Sequence, residues 1–128
     1  MLPDEQDQAP AIALDLDGTI GENPQFFRLL CELWPGKVYV ITYRDDQAKA
    51  ERDVARFGIR CDEVILVSRF EEKAEVIVNR GISVYVDDQD EMLLDIPEGV
   101  TVLKIRNGGN FDFAAKKWLF SERTGRML

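Results

Sequence analysis

The chain predicts a three-layer, doubly wound α/β domain built on a five-stranded parallel sheet. Three observations predict it. Five short apolar runs, rich in β-branched and aromatic residues, recur along the 128 residues. Their apolarity is continuous rather than alternating, which suits strands covered on both faces. Amphipathic helical patterns fill the intervals, and strand and helix alternate without repeats or low-complexity tracts.

The elements follow in order. Ala11 to Leu14 is the first strand. Phe26, Leu29, Leu30, Leu33 and Trp34 then fall at helical spacing, behind Asn23 as N-cap and Pro24 at the first helical position. Val38 to Ile41 is strand two, and Ala50, Val54 and Phe57 form a helical stripe ending at Gly58. Val64 to Val67 is strand three. Ser68-Arg69-Phe70-Glu71 reads as a capping box, and Phe70, Ala74, Ile77 and Val78 continue that helix to Gly81. Ile82 to Val86 is strand four, a short helical turn covers Asp90 to Leu94, and Val100 to Leu103 is strand five. Phe111, Ala114, Ala115, Trp118 and Leu119 repeat the helical spacing behind Asn110 and predict a closing helix. The aromatic stripes read as core packing.

Composition narrows the function classes. Apolar residues at 45% can build a core and charged residues at 31% a soluble surface. No apolar stretch reaches the roughly 18 residues a membrane span needs. Residues 1–10 read as a flexible acidic leader without a secretory signal, and residues 11–128 as a single domain. Cys31 and Cys61 read as reduced thiols with no base to activate them, which points to the cytoplasm. The absence of histidine excludes His-based triads, His-ligated zinc and His general bases. A net charge of −8 argues against long nucleic acid and anionic membrane as partners. From Lys104 onward the chain is +4, which reads as a solvated basic helix.

In doubly wound sheets ligands bind beyond the carboxyl ends of the strands, so the chemistry belongs just after each run. After strand one comes Asp15-Leu16-Asp17-Gly18-Thr19, two carboxylates on one side of an extended chain followed by a glycine that lets it turn away. Two acids at one strand end repel unless a cation compensates. Thr42 follows strand two, then Tyr43, which reads as packing, and Arg44, which either contacts substrate or pairs with Asp45 or Asp46. Lys73 lies early in the helix after strand three, and Asp87 and Asp88 close strand four. Asp90 and Glu91 read as acids favoured by a helix dipole. Oxygen-only ligands suit a hard cation such as Mg2+, which bridges to substrate phosphate, with Thr42 and Lys73 as partners for the remaining phosphate oxygens. The set makes sense as a phosphoryl-transfer site.

Asp15-Leu16-Asp17-Gly18-Thr19 resembles the DxDGT signature of the haloacid dehalogenase superfamily, and Thr42, Lys73 and Asp87-Asp88 are similar to its later motifs, in its order. The resemblance spans about residues 11–106. It implies a Rossmann-like fold with strand order 5-4-1-2-3 and an Mg2+-dependent phosphatase. It makes Asp15 the nucleophile that forms an aspartyl-phosphate and Asp17 the general acid and base. Thr42 and Lys73 would bind the transferring phosphoryl group. The Asp15 carboxylate, the Asp17 backbone carbonyl and the Asp87 carboxylate would hold the metal, with Asp88 orienting metal waters or Lys73. Asp15 must be ionised, and both Mg2+ and Lys73 would lower its pKa.

Only 27 positions separate Asp15 from Thr42 and 31 separate Thr42 from Lys73, and each interval is filled by one helix and one strand. No room remains for a cap domain. The resemblance is therefore to a capless, open-sited member, which suits a large phosphorylated substrate or a partner that supplies the lid. Arg44 and Arg106 are candidate grips for anionic substrate groups. The sequence leaves the oligomeric state undetermined. Two competing readings are weaker. A receiver domain places its paired acids after strand one and its phospho-acceptor after strand three, where this chain has Ser68. A non-catalytic interaction module on the same fold would be expected to have lost one of Asp15, Asp17, Thr42, Lys73 or Asp87, and none is missing.

Overall fold

The computed structural model describes residues 9–93, 95–105, 109–112 and 114–120. Strands β1 (Ala11–Leu14), β2 (Val38–Tyr43), β3 (Glu63–Val67), β4 (Ile82–Asp87) and β5 (Thr101–Lys104) form one parallel sheet in the order β3-β2-β1-β4-β5. This is the predicted order read from the other edge. The chain runs outward from β1 to β3, then returns to lay β4 on the other side of β1, so the reversal falls between β1 and β4. The intervals expected to lack a cap hold only a short 3-10 turn at Ile20–Glu22, helices α1 (Pro24–Leu33) and α2 (Gln47–Arg56), and strands β2 and β3. A third helix, α3 (Glu71–Arg80), precedes β4. Gly81 closes it in the left-handed conformation at φ 63°.

The central strands are buried on both faces because their neighbours alternate. Ile12, Leu14, Val38, Val40 and Val86 pack with Phe27, Cys31, Ala50 and Val54, which are contributed by α1 and α2. Ala13, Tyr39, Ile41, Ile82 and Tyr85 pack on the opposite side with Ile77 of α3. Edge strand β5, by contrast, has three of its four residues exposed.

Three sequence expectations are corrected. The α1 stripe Phe26, Leu29, Leu30, Leu33, Trp34 does not face the core as a unit: Phe26, Leu29 and Leu33 are exposed, Leu33 by 80%. The buried residues are Phe27 and Cys31, with Leu30 and Trp34 packed partly against the core. Apolar residues occupy two adjacent stripes of this helix, and periodicity alone cannot choose between them. The ends choose. Trp34 Nε1 donates to the Pro10 carbonyl at 2.8 Å, and Arg60 donates to the carbonyls of Cys31 and Trp34 at 3.0 and 2.8 Å, fixing the rotation of the last turn.

The capping contact before α3 is shifted by one residue. The Ser68 N–H and Oγ–H both donate to Glu72 Oε1, while Glu71 accepts from Arg69. Phe70 already has helical backbone angles, so the carboxylate that reaches back to Ser68 is one position further on. The predicted closing helix is an antiparallel hairpin instead, β6 (Gly109–Asp112) and β7 (Lys117–Phe120). Its register sets Phe111 opposite Trp118, and the turn ends at Lys116 with φ 55°. A seven-residue separation puts two aromatics on one helix face, but across a tight turn it also puts them opposite each other. The strand propensity of aromatic residues favours the second arrangement. Arg106, the leader residues 1–8, Leu94 and the chain beyond residue 120 lie outside the described residues.

Among the described residues no helix is long and apolar enough to cross a membrane. Both cysteines are free, and burial pushes both thiols up to about 11, which fits their reading as unreactive.

The rotation of α1 is testable. Phe27→Ala should lower unfolding stability by about 3–5 kcal/mol, and Leu33→Asp should change it by no more than about 0.5 kcal/mol. Urea denaturation of the two variants measures both.

Candidate active site

The turn after β1 brings the first acid to the reversal point. The Asp15 N–H donates to the Val86 carbonyl of β4 at 2.9 Å, tying the end of β1 to β4 just before Asp87. The next residues turn sharply, with Gly18 at φ 80°. A Cβ on Gly18 would lie 2.3 Å from Asp88 Oδ2, so the carboxylate at the end of β4 occupies the space a side chain would need. Thr19 is fully buried, and its hydroxyl lies 3.3 Å from Asp15 Oδ2 and 3.5 Å from Asp88 Oδ1. The glycine and threonine of the turn are thus selected by contacts to acids both near and far in sequence.

Lys73 rises from the first turn of α3 and is 1% exposed. Its ammonium donates to Asp15 Oδ1 at 2.9 Å and to Asp87 Oδ2 at 2.8 Å. Asp87 also accepts from the Tyr85 hydroxyl and from the Gln89 N–H. Carboxylate oxygens of Asp15, Asp87 and Asp88 all lie within 4.8 Å of one another, and all three side chains are buried. Lys73 thus bonds two of three carboxylates that crowd together in a desolvated place.

The titration behaviour follows from that burial and crowding. Burial pushes the Asp15 carboxyl well above the usual carboxylate range, with Lys73 pulling the other way and Asp87 and Asp88 adding to the rise. Lys73 acts in the expected direction, but burial outweighs it. Burial also works against the Lys73 ammonium, yet Asp15 and Asp87 together hold it above its ordinary value. The lysine stays charged, and the cost of burial beside two further acids falls on Asp15. A further cation among the three carboxylates would bring Asp15 back down. The donor set, all hard oxygens, fits a divalent cation such as Mg2+.

The remaining candidates divide between two places. Thr42, at the end of β2, stands one pleat beyond the Leu14–Val40 pair and so beside the turn that begins at Asp15. It is fully buried, and its Oγ1 is the buried side-chain polar atom left without a partner among the described residues. Asp17 points elsewhere than the carboxylate cluster, with its side chain 57% exposed. Both of its oxygens accept from Arg44, from Nε at 2.9 Å and from the NH2 nitrogen at 2.7 Å. Arg44 does not pair with Asp45 or Asp46. Asp46 instead caps α2 by accepting from the Lys49 N–H, and the remaining Arg44 nitrogen donates to Asp53 of α2 at 2.7 Å. The sequence marks Thr19 only as the end of the Asp15-Leu16-Asp17-Gly18-Thr19 signature, without a role, and neither Asp53 nor Tyr85 is marked. Tyr85 could have been, since it lies two residues before Asp87 on the same side of a strand. Asp53 could not, being one of several charges on a surface helix.

No protein-family model matches the chain, and no curated protein matches it. Solved structures do. One chain in a structure of the Pnkp1/Rnl/Hen1 complex aligns with a TM-score of 0.60 at 16% identity, covering 86% of this chain and 50% of that one. This chain therefore spans about half the length of that neighbour. The core domain of a candidate phosphoglycolate phosphatase from Streptococcus pneumoniae TIGR4 aligns with a TM-score of 0.49 at 15% identity, over 80% of this chain and 91% of that one. A universal stress protein in complex with cAMP aligns at 0.46 and 11% identity, over 77% and 97%. The likeness is one of fold.

The orphaned Thr42 hydroxyl yields a stability test. Thr42→Val removes a buried polar group that has no partner, so the ligand-free protein should gain about 1 kcal/mol. Urea unfolding in the presence of EDTA measures it.

Proposed function

We propose that this chain is a capless phosphohydrolase of the haloacid dehalogenase type, dependent on a divalent cation and cleaving phosphomonoesters through an aspartyl-phosphate on Asp15. The observation that carries the reading is the cluster of three buried carboxylates at the reversal point of the sheet, two of them bonded to Lys73. Packing three carboxylates so close together is costly for a purely structural cluster. A site that must receive a cation needs such a set of close oxygen donors.

In the first step an Asp15 carboxylate oxygen attacks phosphorus. The bond from phosphorus to the leaving oxygen breaks, and Asp17 gives that oxygen a proton. In the second step Asp17 takes a proton from water as the water oxygen attacks phosphorus, and the bond from phosphorus to Asp15 breaks. The sum is an alcohol and inorganic phosphate. Lys73, fixed on Asp15, offsets charge on the phosphoryl oxygens, and Thr42 offers them a hydroxyl that has no other partner. Asp15 and Asp87, with the Asp17 backbone carbonyl, would hold Mg2+, and the place of Asp88 among the three close carboxylates makes it a further ligand or the holder of a metal water. Bound there, the cation supplies charge neutralisation to the acids and to the phosphate.

The open approach to Asp17 and the short intervals between the motifs support a bulky phosphorylated substrate. Phosphate release from an aryl phosphate and from a panel of natural phosphomonoesters tests the reading. Turnover should require Mg2+, stop with EDTA, and be abolished in Asp15→Asn while the protein remains folded. Thr42→Val should lower kcat on the order of 10²-fold. Mg2+ should raise the melting temperature of the wild type and do so less in Asp88→Asn. A folded protein that binds Mg2+ but turns over no phosphomonoester would favour the interaction-module reading.

A further inference from the structure

Asp17 lies on a turn and is largely exposed, the least restrained setting for a group whose work depends on angle and distance. Yet both of its oxygens are engaged by one planar guanidinium, and the third edge of that guanidinium is engaged by Asp53. Arg44 and Asp53 are each only 18% exposed at the side chain, so the far end of this chain of contacts is held on α2 largely out of solvent while the near end reaches it. Asp53 also lies 3.3 Å from Arg56, one turn along the same helix. The hydrogen bond from Arg44 holds the Asp53 carboxyl below the usual carboxylate range, so Asp53 is an anion wherever the site would work.

We infer that Asp53 and Arg44 are positioning residues for Asp17: Asp53 fixes the guanidinium, and the guanidinium fixes the plane and direction of the Asp17 carboxyl. The inference rests on the role given to Asp17 above. An arginine side chain alone carries roughly 2 kcal/mol of rotamer entropy and would hold nothing still; its fork is a template only when its other edge is anchored. A carboxylate has about four lone-pair sites, and the fork takes two of them. The remaining two are left to exchange a proton with the leaving oxygen and with water.

This role differs measurably from a substrate grip by Arg44. An aryl oxide leaves without much help from a proton, whereas an alkyl oxygen needs one as its bond to phosphorus breaks. Misplacing Asp17 should therefore act on alkyl phosphates in particular. The experiment compares kcat/KM, which reports the transfer to Asp15, for p-nitrophenyl phosphate and for an alkyl phosphomonoester. Asp53→Asn should lower the alkyl value about 10-fold or more and the aryl value by less than about 3-fold. Asp53→Glu should restore part of the loss. In an Asp17→Asn background, Asp53→Asn should add no further loss.

Equal losses on both substrates, a raised KM at unchanged kcat, or additive losses in the double variant would each overturn the inference. A direct readout stands apart from turnover. The Arg44 Nε–H signal in an NMR spectrum should exchange slowly in the wild type and quickly in both Asp17→Asn and Asp53→Asn. Its persistence in Asp53→Asn would overturn the inference even if the wild type hydrolysed nothing. Absence of turnover in the wild type would instead count against the phosphohydrolase reading.

Discussion

Lys73 joins what would otherwise be three separate facts. Its ammonium, almost wholly removed from water, bonds the acid that follows β1 and the acid that ends β4, so two strands brought together by the reversal of the sheet also share a charge partner from α3. A buried lysine is tolerable only with such partners, and buried carboxylates only with such a lysine. The parallel sheet supplies the geometry. Leu14 lies level with Val86, so Asp15 and Asp87 emerge side by side at the same edge. The elements around them can be read as a frame for holding four ionisable groups where solvent is scarce.

That frame crowds like charges together. Three acids meet there, and burial pushes Asp15 upward in spite of Lys73. Thr42 adds a hydroxyl with no partner in the same region. Both features work against the stability of the ligand-free chain, and both would be relieved by a cation and a phosphate. Strain of this sort gathers at functional sites because selection for stability alone would remove it. Gly18 belongs to the same account, since its missing side chain is the room that Asp88 takes.

The parts of the molecule that could be read from the sequence are those set by short-range pattern. Continuous apolar runs marked all five strands of the sheet to within two residues at each end, and Asn23, Pro24 and Gly81 marked helix ends through backbone chemistry that depends on near neighbours. The order of acids and lysine along the chain is enough to set Asp15, Lys73, Asp87 and Asp88 together at the carboxyl end of the sheet, where the structure has them. Where two arrangements share one spacing, pattern failed. Phe111 and Trp118 suit a helix face and a hairpin pair equally, and two apolar stripes on α1 left its rotation open until Trp34 and Arg60 found their carbonyl partners.

The sequence by itself determined the strands, their layering and the inventory of groups at the carboxyl end of the sheet, because each follows from residue type and local periodicity. Only the tertiary structure decided who pairs with whom. Arg44 had two acids next to it in sequence and bonded neither, because Asp46 was already committed to a helix end while Asp17 and Asp53 converged on the guanidinium from a turn and a helix. Ion pairs are chosen by distance and desolvation in three dimensions, and sequence separation says nothing about either.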